Sequence, residues 1–257
     1  MRSTFWDAMH ANFEGAVFDP VGSDVQRAYA RAVRRFAGDA SFACDYGCGT
    51  GRQLPALAKR FERVLGIDFA PKLLDVASER CAALDNVELR RVDLRKPIPN
   101  LRNVGFGVCV NAWIMPNHDD RALALRHIRN SLARGAALVF VIPSLEGALF
   151  VNNRLIEWNR RTGLRGRALL REGIAATSEA ARDGLHGVID LDGSRTKHFL
   201  REEARVTFEE AGFDVLHEDR VEYPWDAYFE DPPRWLTGTP ERKEPAPWDW
   251  LFVLRKR

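Results

Sequence analysis

The run Cys44-Asp45-Tyr46-Gly47-Cys48-Gly49-Thr50-Gly51-Arg52, followed by Gly66-Ile67-Asp68-Phe69, decides the reading of this chain. Ser41 to Tyr46 has the short apolar character of a buried strand, and Gln53 to Glu62 carries Leu54, Leu57, Ala58 and Phe61 at helical spacing. The glycines therefore sit where a strand hands over to a helix. Backbone can approach a ligand closely there, and helix N–H groups face it. Seventeen residues beyond Gly51, Asp68 ends a second apolar strand, Arg63 to Ile67, where a carboxylate can accept hydrogen bonds from two ribose hydroxyls. The pattern points to a nucleoside ligand.

Two ligand classes use such a turn, and the glycine spacing separates them. The dinucleotide fingerprint is G-x-G-x-x-G, whose third glycine lets helix and strand pack tightly. Here Arg52 occupies that third position and the spacing is Gly47-x-Gly49-x-Gly51. Asp45-Tyr46-Gly47-Cys48-Gly49-Thr50-Gly51 resembles instead the first motif of the class I S-adenosylmethionine-dependent methyltransferases, an acid, one residue, then G-x-G-x-G.

Further stretches follow in the order that family uses. Val87 to Val92 reads as a third strand ending in Asp93-Leu94, which is similar to the family's adenine station. The resemblance implies that Asp93 accepts from the exocyclic amine, that the Leu94 backbone meets a ring nitrogen, and that Phe69 lines the same site. Val104 to Val110 reads as a fourth strand ending at Asn111, which resembles the motif facing the methionine half of the cofactor. A helix from about Asp119 to Ala133 is expected to stop at Gly135, with a fifth strand over Ala136 to Pro143. Phe199-Leu200-Arg201-Glu202-Glu203 opens a late helix ending at Ala211-Gly212-Phe213, and Trp250 to Arg255 resembles the family's seventh strand. The resemblance covers about residues 40–143 and 198–255. It implies a doubly wound, Rossmann-like α/β fold with a mainly parallel seven-stranded sheet, and S-adenosyl-L-methionine as cofactor, with Asp45, Gly47, Gly49, Gly51, Asp68, Phe69, Asp93, Leu94 and Asn111 as its binding residues.

The remaining sequence organises around that core as a single domain. Residues 1–39 form an N-terminal helical arm, with Phe5-Trp6-Asp7 and Phe13 ahead of a helix expected over Asp24 to Ala37. The core takes 40–143 and 198–257. Residues 144–197 are an insertion that starts as an amphipathic helix with Trp158 on its packed side. Within that insertion Arg154, Arg160, Arg161, Arg165, Arg167 and Arg171 share eighteen residues with one acid, Glu157. Two readings stand: a solvated basic face, or a lid that recruits an anionic small-molecule acceptor. Aromatics and prolines from Tyr223 to Trp250 describe a broken loop pinned to the body.

Composition excludes other classes. With 257 residues, 46% hydrophobic content and a net charge of +2, the chain can bury one large core and lacks the overall basic balance of a nucleic-acid binder. No apolar run approaches membrane-spanning length and Met1 to Phe5 lacks a secretory pattern, so a cytoplasmic protein is expected. Cys44, Cys48, Cys81 and Cys109 have no C-x-x-C spacing and read as small core residues. Adjacent His118, Asp119 and Asp120 at a helix start cannot all aim at one ion, so no metal is expected.

Methyl transfer needs a general base only where the acceptor is protonated at neutral pH. His118 is the candidate, with His186, His198 and Tyr223 weaker choices; a solvent-facing helix start is the competing reading for His118. Asn111-Ala112-Trp113-Ile114 lacks the Pro-Pro-aromatic sequence of methyltransferases that act on amino groups of adenine or glutamine, so that subgroup is not expected; the resemblance implies methylation of a small-molecule acceptor, with nucleic acid not expected. A dinucleotide oxidoreductase, a nucleic-acid methyltransferase recruited by the arginines, and a non-catalytic cofactor-binding protein are the alternatives.

Overall fold

The computed structural model describes residues 19–166, 168, 185–191, 194–228, 231–238 and 244–257. Phe5, Trp6, Asp7 and Phe13 of the expected aromatic arm, and Arg167 and Arg171 of the insertion, lie outside these residues. In chain order the main elements are α1 (Ala28–Phe36), β1 (Phe42–Tyr46), α2 (Leu54–Ala58), β2 (Arg63–Asp68), α3 (Pro71–Arg80), β3 (Val87–Arg91), β4 (Val104–Val110), α4 (His118–Ser131) and β5 (Leu132–Ile142). There follow α5 (Leu145–Arg161), β6 (Val188–Leu191), β7 (Ser194–Lys197), α6 (Arg201–Glu210), β8 (Phe213–Glu222) and β9 (Trp248–Lys256).

Seven strands form one sheet in the order β3-β2-β1-β4-β5-β9-β8. The first five pair in parallel, and β9 runs antiparallel to both of its neighbours. Helices cover both faces, which explains why central strands read as unbroken apolar runs. Period-two alternation divides β5 between two cores: Leu138, Phe140 and Ile142 pack on one face with Trp113, Phe199 and Phe208, while Ala137, Val139 and Val141 pack on the other with Tyr29, Leu54 and Phe106. The mainly parallel doubly wound architecture is thus as expected; β8 follows the late helix, and β9 stands where the seventh strand was read. Among the described residues no helix is long and apolar enough to cross a membrane.

Several boundaries differ from the expectation, each for a local reason. The first helix starts at Ala28 rather than Asp24, because the Asp24 carboxylate folds back to accept from the Gln26 and Tyr29 N–H groups and Arg27 is left-handed. The helix after the glycine turn ends at Ala58, where Asn86 Nδ2 donates to the Ala58 and Phe61 carbonyls. The helix expected to run to Ala133 ends at Ser131; Leu132 already pairs with Val104, and left-handed Gly135 sits in the irregularity before Ala137 pairs with Phe106. The insertion opens at Leu145 as expected, capped by Ser144, whose hydroxyl accepts from the Gly147 N–H. Its second part, the antiparallel β6–β7 hairpin, was not anticipated.

Candidate active site

Strand order reverses between β1 and β4, and a cleft opens at their carboxyl ends, the place where open α/β sheets receive ligands. Its floor is the glycine turn. Gly47, Gly49 and Gly51 all have left-handed φ, at 80°, 53° and 75°. The Gly47 and Cys48 N–H groups both donate to the Ile67 carbonyl, at 2.8 and 2.9 Å, which folds the turn back onto β2. A Cβ on Gly47 would lie 2.2 Å from the Ala112 Cβ, and one on Gly51 would lie 3.0 Å from the Ala77 Cβ. Gly47 therefore permits β1 and β4 to meet at the cleft, and Gly51 permits α3 to approach.

Asp45, Gly47, Gly49, Asp68, Phe69, Asp93, Leu94 and Asn111 all line this one cleft, while Gly51 supports it from behind. Asp68 is buried; one of its oxygens accepts from the Gly49 N–H and the other from the Ala70 N–H, both at 2.9 Å. Asp45 is also buried, and burial first, then the neighbouring Asp68 charge, pushes its carboxyl up to about 7. Asn111 follows β4 with φ at 46°, and its Nδ2 donates to Asp249 Oδ2 at 3.1 Å. Its Oδ1 is buried and has no hydrogen-bond partner among the described residues. Asp93 is held in a fork by Arg95, whose Nε and Nη2 reach its two oxygens at 2.9 and 2.8 Å; that pairing holds the Asp93 carboxyl below its ordinary range.

The structure does not bring His118 to these residues. It is the exposed first residue of α4 and lies outside the cleft lining; Asn117 caps the helix by accepting from the Asp120 N–H, and the two acids suit the dipole. His198 is buried, and burial pushes its imidazole down to about 4, with Nδ1 beside the Thr196 carbonyl. Tyr223 is buried against Tyr228, its hydroxyl 3.4 Å from the other. Neither lines the cleft, nor does exposed His186.

Sequence reading missed several lining residues. Asp19 and Pro20 come from ahead of α1, Arg52, Gln53 and Arg95 from the loops, and Ile114 and Met115 from the stretch after β4. That stretch is braced from two sides: the Lys197 N–H of the insertion donates to the Ile114 carbonyl at 2.9 Å, and buried Arg121 of α4 donates to the Met115 and Pro116 carbonyls at 2.6 and 2.9 Å. None of Arg154, Arg160, Arg161 and Arg165 lines the cleft. Arg160 and Arg161 both pair with Glu157 at 2.7 Å, and Arg165 donates to the Arg160 and Leu164 carbonyls.

Comparison with known proteins bears on this arrangement. Residues 43–135, which span the glycine turn through β4 and α4, match the family model described as a methyltransferase domain. No curated protein sequence matches the chain. Among solved structures, an S-adenosylmethionine-dependent methyltransferase from Anabaena variabilis has a TM-score of 0.62 at 19% identity, covering 99% of this chain and 93% of its own. A second, from Methanosarcina mazei, has a TM-score of 0.58 at 14% identity over 87% of this chain and 96% of its own. The N-methyltransferase NodS from Bradyrhizobium japonicum, in complex with S-adenosyl-L-homocysteine, has a TM-score of 0.60 at 12% identity over 99% and 97%. At such identities the likeness speaks to the fold. Residues 43–135 thus match a methyltransferase domain, and nearly the whole chain shares the fold of these S-adenosylmethionine-dependent methyltransferases.

Proposed function

We propose that the cleft holds S-adenosylmethionine through the residues described above and that the enzyme methylates a small-molecule acceptor. The observation that carries this placement is the Asn111 amide. Its nitrogen is committed to Asp249, which leaves a buried oxygen without a donor on a cleft wall. A ligand ammonium satisfies that oxygen, and leaving it unmet would cost roughly 1–3 kcal/mol. Asp68 accepts from ribose hydroxyls, a carboxylate having about four acceptor sites. Asp93 and the Leu94 backbone take the adenine edge, and Phe69 packs beside it. Asp45, ionised, offsets positive charge on the ligand.

When bound, the cofactor supplies a methyl group on a sulfonium sulfur that leaves as a neutral thioether. The chain is then left to align the acceptor and exclude water. Pro20, Ile114 and Met115 offer apolar surface for that purpose, and the hairpin brace on Ile114 fixes one wall. These walls suit a small acceptor. Arg160 and Arg161, paired with Glu157 on the surface, lend no support to recruitment of an anion into the cleft. His118, exposed outside the cleft, is assigned no proton transfer.

Calorimetric titration tests the cofactor site: S-adenosylhomocysteine should bind and NADH should not. Tight NADH binding without a response to S-adenosylhomocysteine would overturn the reading. Formation of S-adenosylhomocysteine on a panel of small amines, phenols and carboxylic acids, set against RNA and protein substrates, tests the acceptor class.

A further inference from the structure

Asp249 is the second residue of β9, between Trp248 and Trp250, and it is buried at the end of the sheet that carries the cleft. Its oxygens accept from two donors, Asn111 Nδ2 at 3.1 Å and the Ser144 N–H at 3.4 Å. No guanidinium or ammonium of the described residues pairs with it. The titratable groups near it are the phenols of Tyr223 and Tyr228, and the Arg220 guanidinium lies over the Trp248 and Trp250 rings instead. Burial accordingly raises the Asp249 carboxyl to about 6. An uncompensated buried acid is a costly way to fill a core position. What it offers is acceptors only, to two donors at once, which no neutral amide can match.

The consequence falls on Asn111. An asparagine amide can turn over, presenting either oxygen or nitrogen to the cleft. Against an acceptor-only partner, one orientation is satisfied: nitrogen toward Asp249 and oxygen toward the cleft. We infer that Asp249 is a positioning residue that locks the Asn111 carbonyl oxygen toward the amino-acid end of the bound cofactor. This inference rests on the cofactor placement proposed above and assigns a role to a residue 138 positions away from its partner.

Asp249→Asn tests it. The new amide cannot accept from both Asn111 and Ser144, so Asn111 turns its nitrogen to the cleft. S-adenosylhomocysteine affinity should fall about tenfold or more, the change expected for one hydrogen bond replaced by facing donors. 5′-Methylthioadenosine, which lacks the amino-acid end, should bind both proteins alike. Thermal stability should not fall at neutral pH, because a buried charge has been removed. The swap Asn111→Asp with Asp249→Asn satisfies every donor again, since residue 249 then donates to residue 111 and accepts from Ser144, leaving a carboxylate oxygen to the cleft; it should restore S-adenosylhomocysteine binding. Left-handed φ at position 111 suits Asp as it does Asn. Unchanged S-adenosylhomocysteine affinity in Asp249→Asn, or equal losses for both nucleosides, overturns the inference. So does a swap that stays weak. If Asp249→Asn alone does not fold, a folded and binding swap supports the inference, and failure of both assigns Asp249 to the fold instead. A wild-type protein that ignores S-adenosylhomocysteine removes the cofactor placement itself, a result distinct from all of these.

Discussion

The Asp68 carboxylate at the end of β2 accepts a 2.9 Å hydrogen bond from the Gly49 N–H, and through its other oxygen it ties down the Ala70 N–H just before α3. The acid proposed to hold the ribose therefore also holds the turn on which the cofactor rests. Asp68→Ala should lose most affinity for S-adenosylhomocysteine and also lower unfolding stability by roughly 1–3 kcal/mol, the range for charge-assisted backbone bonds at a buried site. Calorimetry and urea unfolding read the two effects separately. Native affinity with lowered stability would leave Asp68 a purely structural residue.

Gly47 has little room for a side chain. Its φ is 80° and an added Cβ would meet the Ala112 Cβ at 2.2 Å, so Gly47→Ala combines backbone strain with a clash between β1 and the residue after Asn111. Cofactor binding should drop at least tenfold, and stability should fall by about 1–3 kcal/mol. Differential scanning calorimetry with and without S-adenosylhomocysteine checks both. Wild-type behaviour would mean that the turn is free to rearrange.

How much of this was legible depended on whether the chemistry was local. The glycine turn and Asp68 could be read because backbone freedom and ribose recognition leave their marks within a few residues of sequence. Asn111 was readable as the end of a strand and, through the family resemblance, as facing the methionine half of the cofactor; that its amide is oriented depends on Asp249, brought near by the antiparallel pairing of β9 with β5. An acid inside the apolar run Trp248 to Leu254 was the available signal. Asp19 reaches the cleft through tertiary packing, and the β6–β7 hairpin, built from Val-Ile-Asp-Leu and Ser-Arg-Thr-Lys, is too short and too polar to show a strand period. The family resemblance gave Asp93 its expected role, yet could not reveal that Arg95 already grips both of its oxygens.

Asp45 makes stability depend on pH in an unusual direction. Its folded value of about 7 lies above the ordinary 3.8, so between these values the folded chain binds more protons than the unfolded chain. Stability should therefore fall as pH rises through this window. Asp249, at about 6, acts with the same sign over a narrower range. Asp45→Asn should raise the melting temperature at about pH 7.5 and change it little near pH 4, each kcal/mol recovered being worth roughly 2–4 °C at this chain length. Melting curves across pH check this; an equal shift at both pH values would mean that Asp45 ionisation is not the cause.

The arginines of α5 distinguish a surface feature from an acceptor-recruiting lid. Arg160 and Arg161 share Glu157, their side chains 57% and 47% exposed, and Arg161 also lies over Trp235 at 4.2 Å. Exposed pairs of this kind contribute little to stability. Because none of them lines the cleft, Arg160→Ala, Arg161→Ala and Arg165→Ala should leave S-adenosylhomocysteine affinity unchanged and shift the melting temperature little. A nucleic-acid surface makes the opposite demand: each lost arginine would weaken RNA or DNA binding by a similar step and lower its salt dependence by about one counterion. Fluorescence anisotropy with short RNA and DNA at several salt concentrations separates the two. The expected result is no binding that responds to these substitutions. A uniform series of salt-sensitive losses with cofactor affinity intact would replace the small-molecule acceptor with a polynucleotide one.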